Sequence, residues 1–117
     1  MTDTDKPPVS VLVITAAEPS LLRQCLLSAQ WAREIVVVDA GSSPAARAIC
    51  EQLATCVINH DWEGYGRQRQ FALEQAQQQW VLMLDTDEIV PDALASEIAA
   101  TVAHPQAQAG FFIPRLN

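Results

Sequence analysis

Basic residues are scarce in this chain: seven Lys and Arg stand against fourteen Asp and Glu over 117 residues, a formal net charge of -7 with a pI near 4.5. The seven are scattered as Lys6, Arg23, Arg33, Arg47, Arg67, Arg69 and Arg115. Without a basic patch to neutralise a phosphate backbone, the chain is not expected to bind nucleic acid. Lys6 is the single lysine, so no G-x-x-x-x-G-K-[ST] loop can be written, and no G-x-G-x-x-G follows the first apolar segment. A P-loop or conventional dinucleotide site is therefore not expected. Cys25, Cys50 and Cys56 show neither C-x-x-C nor other ligand spacing, which excludes a disulfide framework and a zinc site and points to reduced, cytoplasmic thiols. Two of them fall on apolar helix positions and read as buried small hydrophobes. No apolar run is long enough to span a bilayer, and residues 1–8, polar with two prolines, read as a flexible leader rather than a signal peptide.

Half of the residues are hydrophobic, which excludes a disordered chain. The length suits one domain that buries ~65% of the surface its unfolded form exposes. Its organising stretch is Trp80-Val-Leu-Met-Leu-Asp-Thr-Asp-Glu88, five apolar residues that end in three carboxylates. An unbroken apolar run with Val and Leu in it reads as a strand buried on both faces of a parallel sheet. Ligands of such sheets gather outside the carboxyl ends of the strands. On an extended backbone Asp85 and Asp87 would point the same way, a clamp for a hard cation such as Mg2+ or Mn2+ whose shell is completed by substrate phosphates. Two like charges ~4 Å apart repel by roughly 4 kcal/mol at an effective dielectric near 20, so a diphosphate beside these carboxylates needs a cation between. The plainer alternative is a solvated acidic loop ahead of the helix that begins at Pro91 and Asp92.

The chain alternates strand and helix. Val9 to Ile14 is a first buried strand, followed by a helix from about Ser20 with Leu22, Cys25, Leu26 and Ala29 as its apolar stripe. Ile35 to Val38 is a second strand that exits at Asp39-Ala-Gly-Ser-Ser-Pro44. Ser43 as N-cap and Pro44 at the first helical position start a second helix with Ala46, Ile49, Cys50 and Leu53 on its core side. Cys56 to Asn59 is a third strand, and a loop with two glycines leads to a helix from about Arg67 to Gln79 with Phe71, Ala72 and Ala76 as its core side. Its Gln77-Gln78-Gln79 run reads as a solvated end. After the central strand, a fourth helix runs from Pro91 to about Ala103, and Gly110 to Ile113 is a candidate fifth strand. The fold class is α/β: a doubly wound, mainly parallel sheet with helices on both faces. The exits Thr15 to Glu18, Asp39 to Ser42 and Asp85 to Glu88 could then converge on one crevice. Asp39 and Gly41 suit a ribose or base contact on a backbone open to close approach, or else a helix cap and its turn.

Four segments carry a family resemblance: Ser10-Val-Leu-Val-Ile-Thr15, Ile35-Val-Val-Val-Asp-Ala-Gly-Ser-Ser43, Trp62-Glu-Gly-Tyr-Gly-Arg-Gln-Arg-Gln-Phe-Ala-Leu73 and Trp80-Val-Leu-Met-Leu-Asp-Thr-Asp-Glu88. Together they resemble the nucleotide-sugar half of glycosyltransferase family 2, and the third segment resembles its lipopolysaccharide core glucosyltransferase branch. The resemblance implies a Rossmann-like half of a GT-A fold over residues 9–117. It implies a nucleotide diphosphate sugar as donor, UDP-glucose or a close relative, with Mg2+ or Mn2+, and a glycan or lipid-linked acceptor. Motif by motif it implies that Thr15, Glu18, Asp39, Gly41 and Asp85 hold the nucleoside, that Arg69 reaches the phosphates, and that Asp87 ligates the metal. Trp62 and Tyr65 would pave the sugar pocket. Transfer would be a single displacement with inversion at the anomeric carbon.

The chain departs from the family pattern in places: Ala17 stands where Asn is usual, Ser42-Ser43-Pro44 replaces S-T-D, and Gln70 stands where Asn is common. Family members continue into a second half that supplies the acceptor site and the base, so the chain is expected to be truncated, to bind donor without turning over alone, and to self-associate through the surface that half would cover. The expected placement is cytoplasmic, with a peripheral position at the inner membrane also open. Two other classes stay open on sequence: a non-catalytic nucleotide- or partner-binding half-domain, and a receiver-like signalling domain. The receiver fits poorly, because Glu18 is a lone acid after the first strand and no lysine lies near the fifth.

Overall fold

A computed structural model describes residues 5–17 and 20–103. Four strands, β1 (Val9–Ala17), β2 (Glu34–Ser42), β3 (Cys56–Asn59) and β4 (Trp80–Met83), alternate with α1 (Leu22–Leu27), α2 (Pro44–Leu53), α3 (Tyr65–Gln75) and α4 (Asp92–Ala103). The sheet order is β3-β2-β1-β4 and every pairing is parallel. β1 pairs with β2 from Ser10↔Glu34 to Thr15↔Asp39, and with β4 from Val9↔Trp80 to Leu12↔Met83. Successive strands thus run outward from β1 to β3, and the chain then crosses back to lay β4 on the other side of β1. That reversal makes the gap between the exits of β1 and β4 the switch point of the sheet. It also rules out a receiver-like fold, in which the third strand pairs with the first.

The unbroken apolar character of β1 and β2 is explained by cover on both faces. Val9, Val11, Val13, Ile35, Val37 and Leu82 pack with the buried residues of α1, α2 and α4. On the other face Leu12, Val36, Val38 and Met83 pack with Ala72 and Phe71 of α3. Alternation along each strand sends neighbours to opposite layers. Each fully buried Leu or Val here contributes about 1.5–3 kcal/mol relative to exposure. The stripe of α1 is buried as expected, as are Ala46 and Cys50 of α2. Ser43 Oγ accepts from the N–H of Ala46 at 3.2 Å with Pro44 next in line, as the sequence indicates.

Several boundaries differ from expectation: β1 continues past Ile14 to Ala17, and β2 extends at both ends beyond the expected Ile35 to Val38. α1 begins at Leu22, not near Ser20, and Leu21 occupies its N-cap with no side-chain cap. α3 starts at Tyr65 and stops at Gln75 rather than spanning Arg67 to Gln79. Gln77 and Gln79 are exposed as expected, but the glutamine run is not helical: the N–H groups of Gln77 and Gln78 donate to Glu34 Oε1 (2.9 Å) and Ser10 Oγ (3.1 Å), while Ser10 Oγ donates to the same Glu34 oxygen (2.5 Å). These bonds give the buried Glu34 carboxylate two donors. The candidate fifth strand at Gly110 to Ile113, and His104, lie outside the described residues. Among the described residues no helix is long and apolar enough to cross a membrane.

Candidate donor-binding site

At the switch point lies a cleft of about 160 Å³, lined by Thr15 and Ala16 at the exit of β1, Leu84 and Asp85 at the exit of β4, and Trp62 and Tyr65 from the segment that opens α3. Thr15 is only 3% exposed, and its buried hydroxyl has no hydrogen-bond partner among the described residues. A buried polar group without a partner costs about 1–3 kcal/mol. Beyond it the ladder is irregular: the register shifts between Thr15 and Ala17, and Ala17 adopts φ +58°. For a residue with a Cβ that left-handed conformation costs roughly 1–2 kcal/mol. It is held by the hydrogen bond from Ser43 N–H to Ala17 O (2.9 Å).

The acidic segment is a turn and not a continuation of β4. The strand ends at Met83, Glu88 N–H donates to Asp85 O (2.9 Å), and Asp85 N–H donates to Glu88 Oε1 (2.8 Å). The two-residue alternation expected to align Asp85 with Asp87 therefore does not apply to them. Both are exposed. α1 supports the turn from below: Cys25 Sγ donates to Asp85 O (3.4 Å), and Ser28 Oγ accepts from Val90 N–H (2.9 Å). The Cys25 thiol is pushed up to about 12 by its burial first and then by the charges of Glu88, Asp85 and Asp87.

Next to the cleft, across the Thr15↔Asp39 pairing, an open groove of about 470 Å³ is lined by Asp39, Gly41, Ser42, Arg47, Asn59 and Asp61. Asp39 accepts from the N–H groups of Gly41 (2.9 Å) and Ser42 (2.8 Å), from Ser42 Oγ (2.7 Å) and from Arg47 Nη1 (3.2 Å). Burial alone would raise its carboxyl, but those bonds outweigh it and hold the group below its ordinary value. Gly41, at φ +115°, makes the tight return that aims two N–H groups at one oxygen. Arg47 is shared with Glu51 and Asn59.

The structure thus brings Thr15 and Asp85 into one cleft, with Asp39 and Gly41 in the adjoining groove. Asp87 is on the exposed turn and lines neither, and Glu18 lies outside the described residues. Arg69 sits half-buried one turn after Tyr65 on α3 and does not line the cleft, whereas Arg67 lines an outer groove with His60 and Glu63. No group of three or more His, Cys, Asp or Glu is placed to hold a metal ion among the described residues. Sequence reasoning missed Gln68 and His60. Gln68 is fully buried and tied to His60, and one glutamine on a glutamine-rich helix gives no signal of that.

A doubly wound parallel α/β sheet with a cleft and an acidic turn at its switch point has the architecture in which ligands gather outside the carboxyl ends of the strands. The chain belongs to glycosyltransferase family 2, whose model, described as "Glycosyl transferase family 2", matches residues 10–115. It is 31% identical over 115 residues to the "Lipopolysaccharide core biosynthesis glycosyltransferase LpsC" of Rhizobium meliloti (strain 1021), covering 94% of this chain and 43% of that one. It is 34% identical over 91 residues to an "Uncharacterized glycosyltransferase" of Rickettsia felis, covering 77% of this chain and 32% of that one. The chain spans less than half the length of these relatives. The solved structure of S. aureus TarS superposes with a TM-score of 0.67 at 24% identity, over 84% of this chain and 20% of that one, a likeness of fold.

Proposed function

We propose that this chain is the donor-binding half of an inverting glycosyltransferase that takes a nucleoside diphosphate sugar, UDP-glucose or a close relative, for transfer to a glycan or lipopolysaccharide core acceptor. The observation that carries this reading is the cleft at the switch point, where Thr15 at the exit of β1 meets Asp85, Trp62 and Tyr65. The nucleoside lies across the cleft and the Asp39 groove. There Gly41 admits close approach, and Asp39, held ionised by its own network, offers a fixed acceptor edge. The two exposed aromatics face the sugar. Arg69 is proposed to reach the phosphates from α3, and Glu18 to close the nucleoside site.

Asp85 and Asp87 present hard oxygen donors that fit Mg2+ or Mn2+, but two carboxylates complete a shell only together with diphosphate oxygens. When bound with the donor, the cation neutralises the charge of the departing diphosphate. The protein's own part is to hold the donor with its anomeric carbon open to attack and to keep the acidic turn in place through Cys25 and Ser28. Acceptor binding and the base are assigned to chain outside these 117 residues, since the matched relatives are more than twice as long. We place the protein in the cytoplasm and attribute any self-association to exposed apolar residues such as Leu21, Leu27 and Ile89.

Calorimetric titration with UDP, GDP and ADP, each with and without Mn2+, tests the proposal. UDP is expected to bind in a metal-dependent way, with the metal dependence lost in Asp87→Ala. A folded chain that binds no nucleotide contradicts the donor-site reading and favours a partner-binding half-domain.

A further inference from the structure

We propose that His60 and Gln68 form a positioning clamp that holds residues 61–64, and with them Trp62 and Tyr65, against the cleft, and that this clamp sets how tightly the sugar part of the donor is gripped. The second half of the proposal rests on the donor-site reading above. Gln68 has no exposed surface. Its Nε2 donates to the carbonyl of His60 (3.1 Å), and its Oε1 lies 2.6 Å from His60 Nδ1. A carbonyl can only accept, so Nε2 is committed, Oε1 must be the acceptor, and Nδ1 carries the proton. The backbone N–H of Gln68 donates to Gly64 O (3.0 Å). One residue therefore closes the loop at both ends, through His60 before it and Gly64 after it.

His60 is fixed on its other sides as well. Its N–H donates to Asp39 O (3.0 Å), which continues the sheet beyond β3, and its ring stacks on Phe71 with centroids 3.9 Å apart and planes 28° apart. Between the fixed ends, Asp61 faces the Asp39 groove and Trp62 faces the Thr15 cleft, so the loop forms the wall between the two depressions. Trp62 is 55% exposed and Tyr65 47% exposed. Aromatic rings left in water contribute little to folding, but a platform held in place can pack on the apolar face of a sugar ring without an ordering cost at binding. Gly64 starts α3 at φ +100° with no side-chain cap, so the placement of the loop rests on the clamp rather than on the helix start.

The test uses the full chain as wild type, His60→Phe and His60→Asn. His60→Phe keeps a ring on Phe71 but removes the donor to Gln68; His60→Asn returns an N–H near the position of Nδ1. Each is titrated with UDP and with UDP-glucose in Mn2+, and Trp62 accessibility is read by acrylamide quenching in a Trp31→Phe, Trp80→Phe background. In His60→Phe, Trp62 quenching should rise, by less than about twofold because the ring is already half exposed, and UDP-glucose affinity should fall about five- to tenfold, while UDP changes by less than about twofold. His60→Asn should recover most of both. Unchanged quenching, or equal losses for the two nucleotides, overturns the clamp. Raised quenching in His60→Phe with a wild-type chain that binds neither nucleotide overturns the donor-site reading and the grip on the sugar, and leaves a loop anchor only.

Discussion

The two ends of the sheet treat buried polar groups in opposite ways. At the N-terminal end, Glu34, Ser10 and the amides of Gln77 and Gln78 form a closed cluster in which every group has a partner within 3.1 Å. At the C-terminal end, Thr15 keeps a buried hydroxyl unpartnered, Ala17 holds a left-handed backbone, and the carboxylates of Asp85 and Asp87 face solvent above a buried thiol. The strands and the core are shared, so the difference lies in what each end is for. One end is closed by its own hydrogen bonds, and the other is left without them among the described residues. The indole N–H of Trp31, just before β2, also lacks a partner, and nothing in the structure explains it.

This contrast can be broken at either end. Glu34→Leu should cost about 2 kcal/mol, because it strands the buried Ser10 hydroxyl and the part-buried amide of Gln77. Denaturant unfolding should report that loss while nucleotide affinity stays unchanged. Asp39→Asn has a smaller effect with a definite pH signature. Because the folded carboxyl lies below its ordinary 3.8, Asp39 contributes stability that is present above that value and is lost as pH falls through its lower folded value. The substitution should remove about 1 kcal/mol at neutral pH and flatten the acid limb of the stability profile. Ala17→Gly should have the smallest effect and the opposite sign, raising stability by up to about 1 kcal/mol as the positive φ is relieved. Thermal unfolding decides it, and a loss of stability would show that Ala17 is not strained.

Much of the fold is legible in residue patterns. The apolar stripes of α1 and α2, the Ser43-Pro44 start and the two-face burial of β1 follow from local spacing and hold in the structure. The failures have different causes, and only the first depends on partners distant in sequence. Gln77 and Gln78 resemble the end of a helix until Glu34, more than forty residues earlier, takes the amide of Gln77 and Ser10 takes that of Gln78. Ser20 resembles an N-cap, but α1 starts only at Leu22, behind an uncapped Leu21. Asp85 and Asp87 would align on an extended chain, yet Glu88 folds back on Asp85 and makes a turn. The places of Thr15, Asp39 and Asp85 at strand exits are legible in the sequence. Gln68 is not, because burial of one amide on a polar helix leaves no mark in periodicity.

The most direct test of the open end is Thr15→Val, measured for unfolding free energy without ligand and for UDP affinity with Mn2+. Removing a buried hydroxyl that waits for a ligand should stabilise the free chain by about 1 kcal/mol and weaken UDP binding about fivefold to tenfold. A variant that is less stable than wild type and binds UDP equally well would mean that the hydroxyl serves the fold, and would contradict the account.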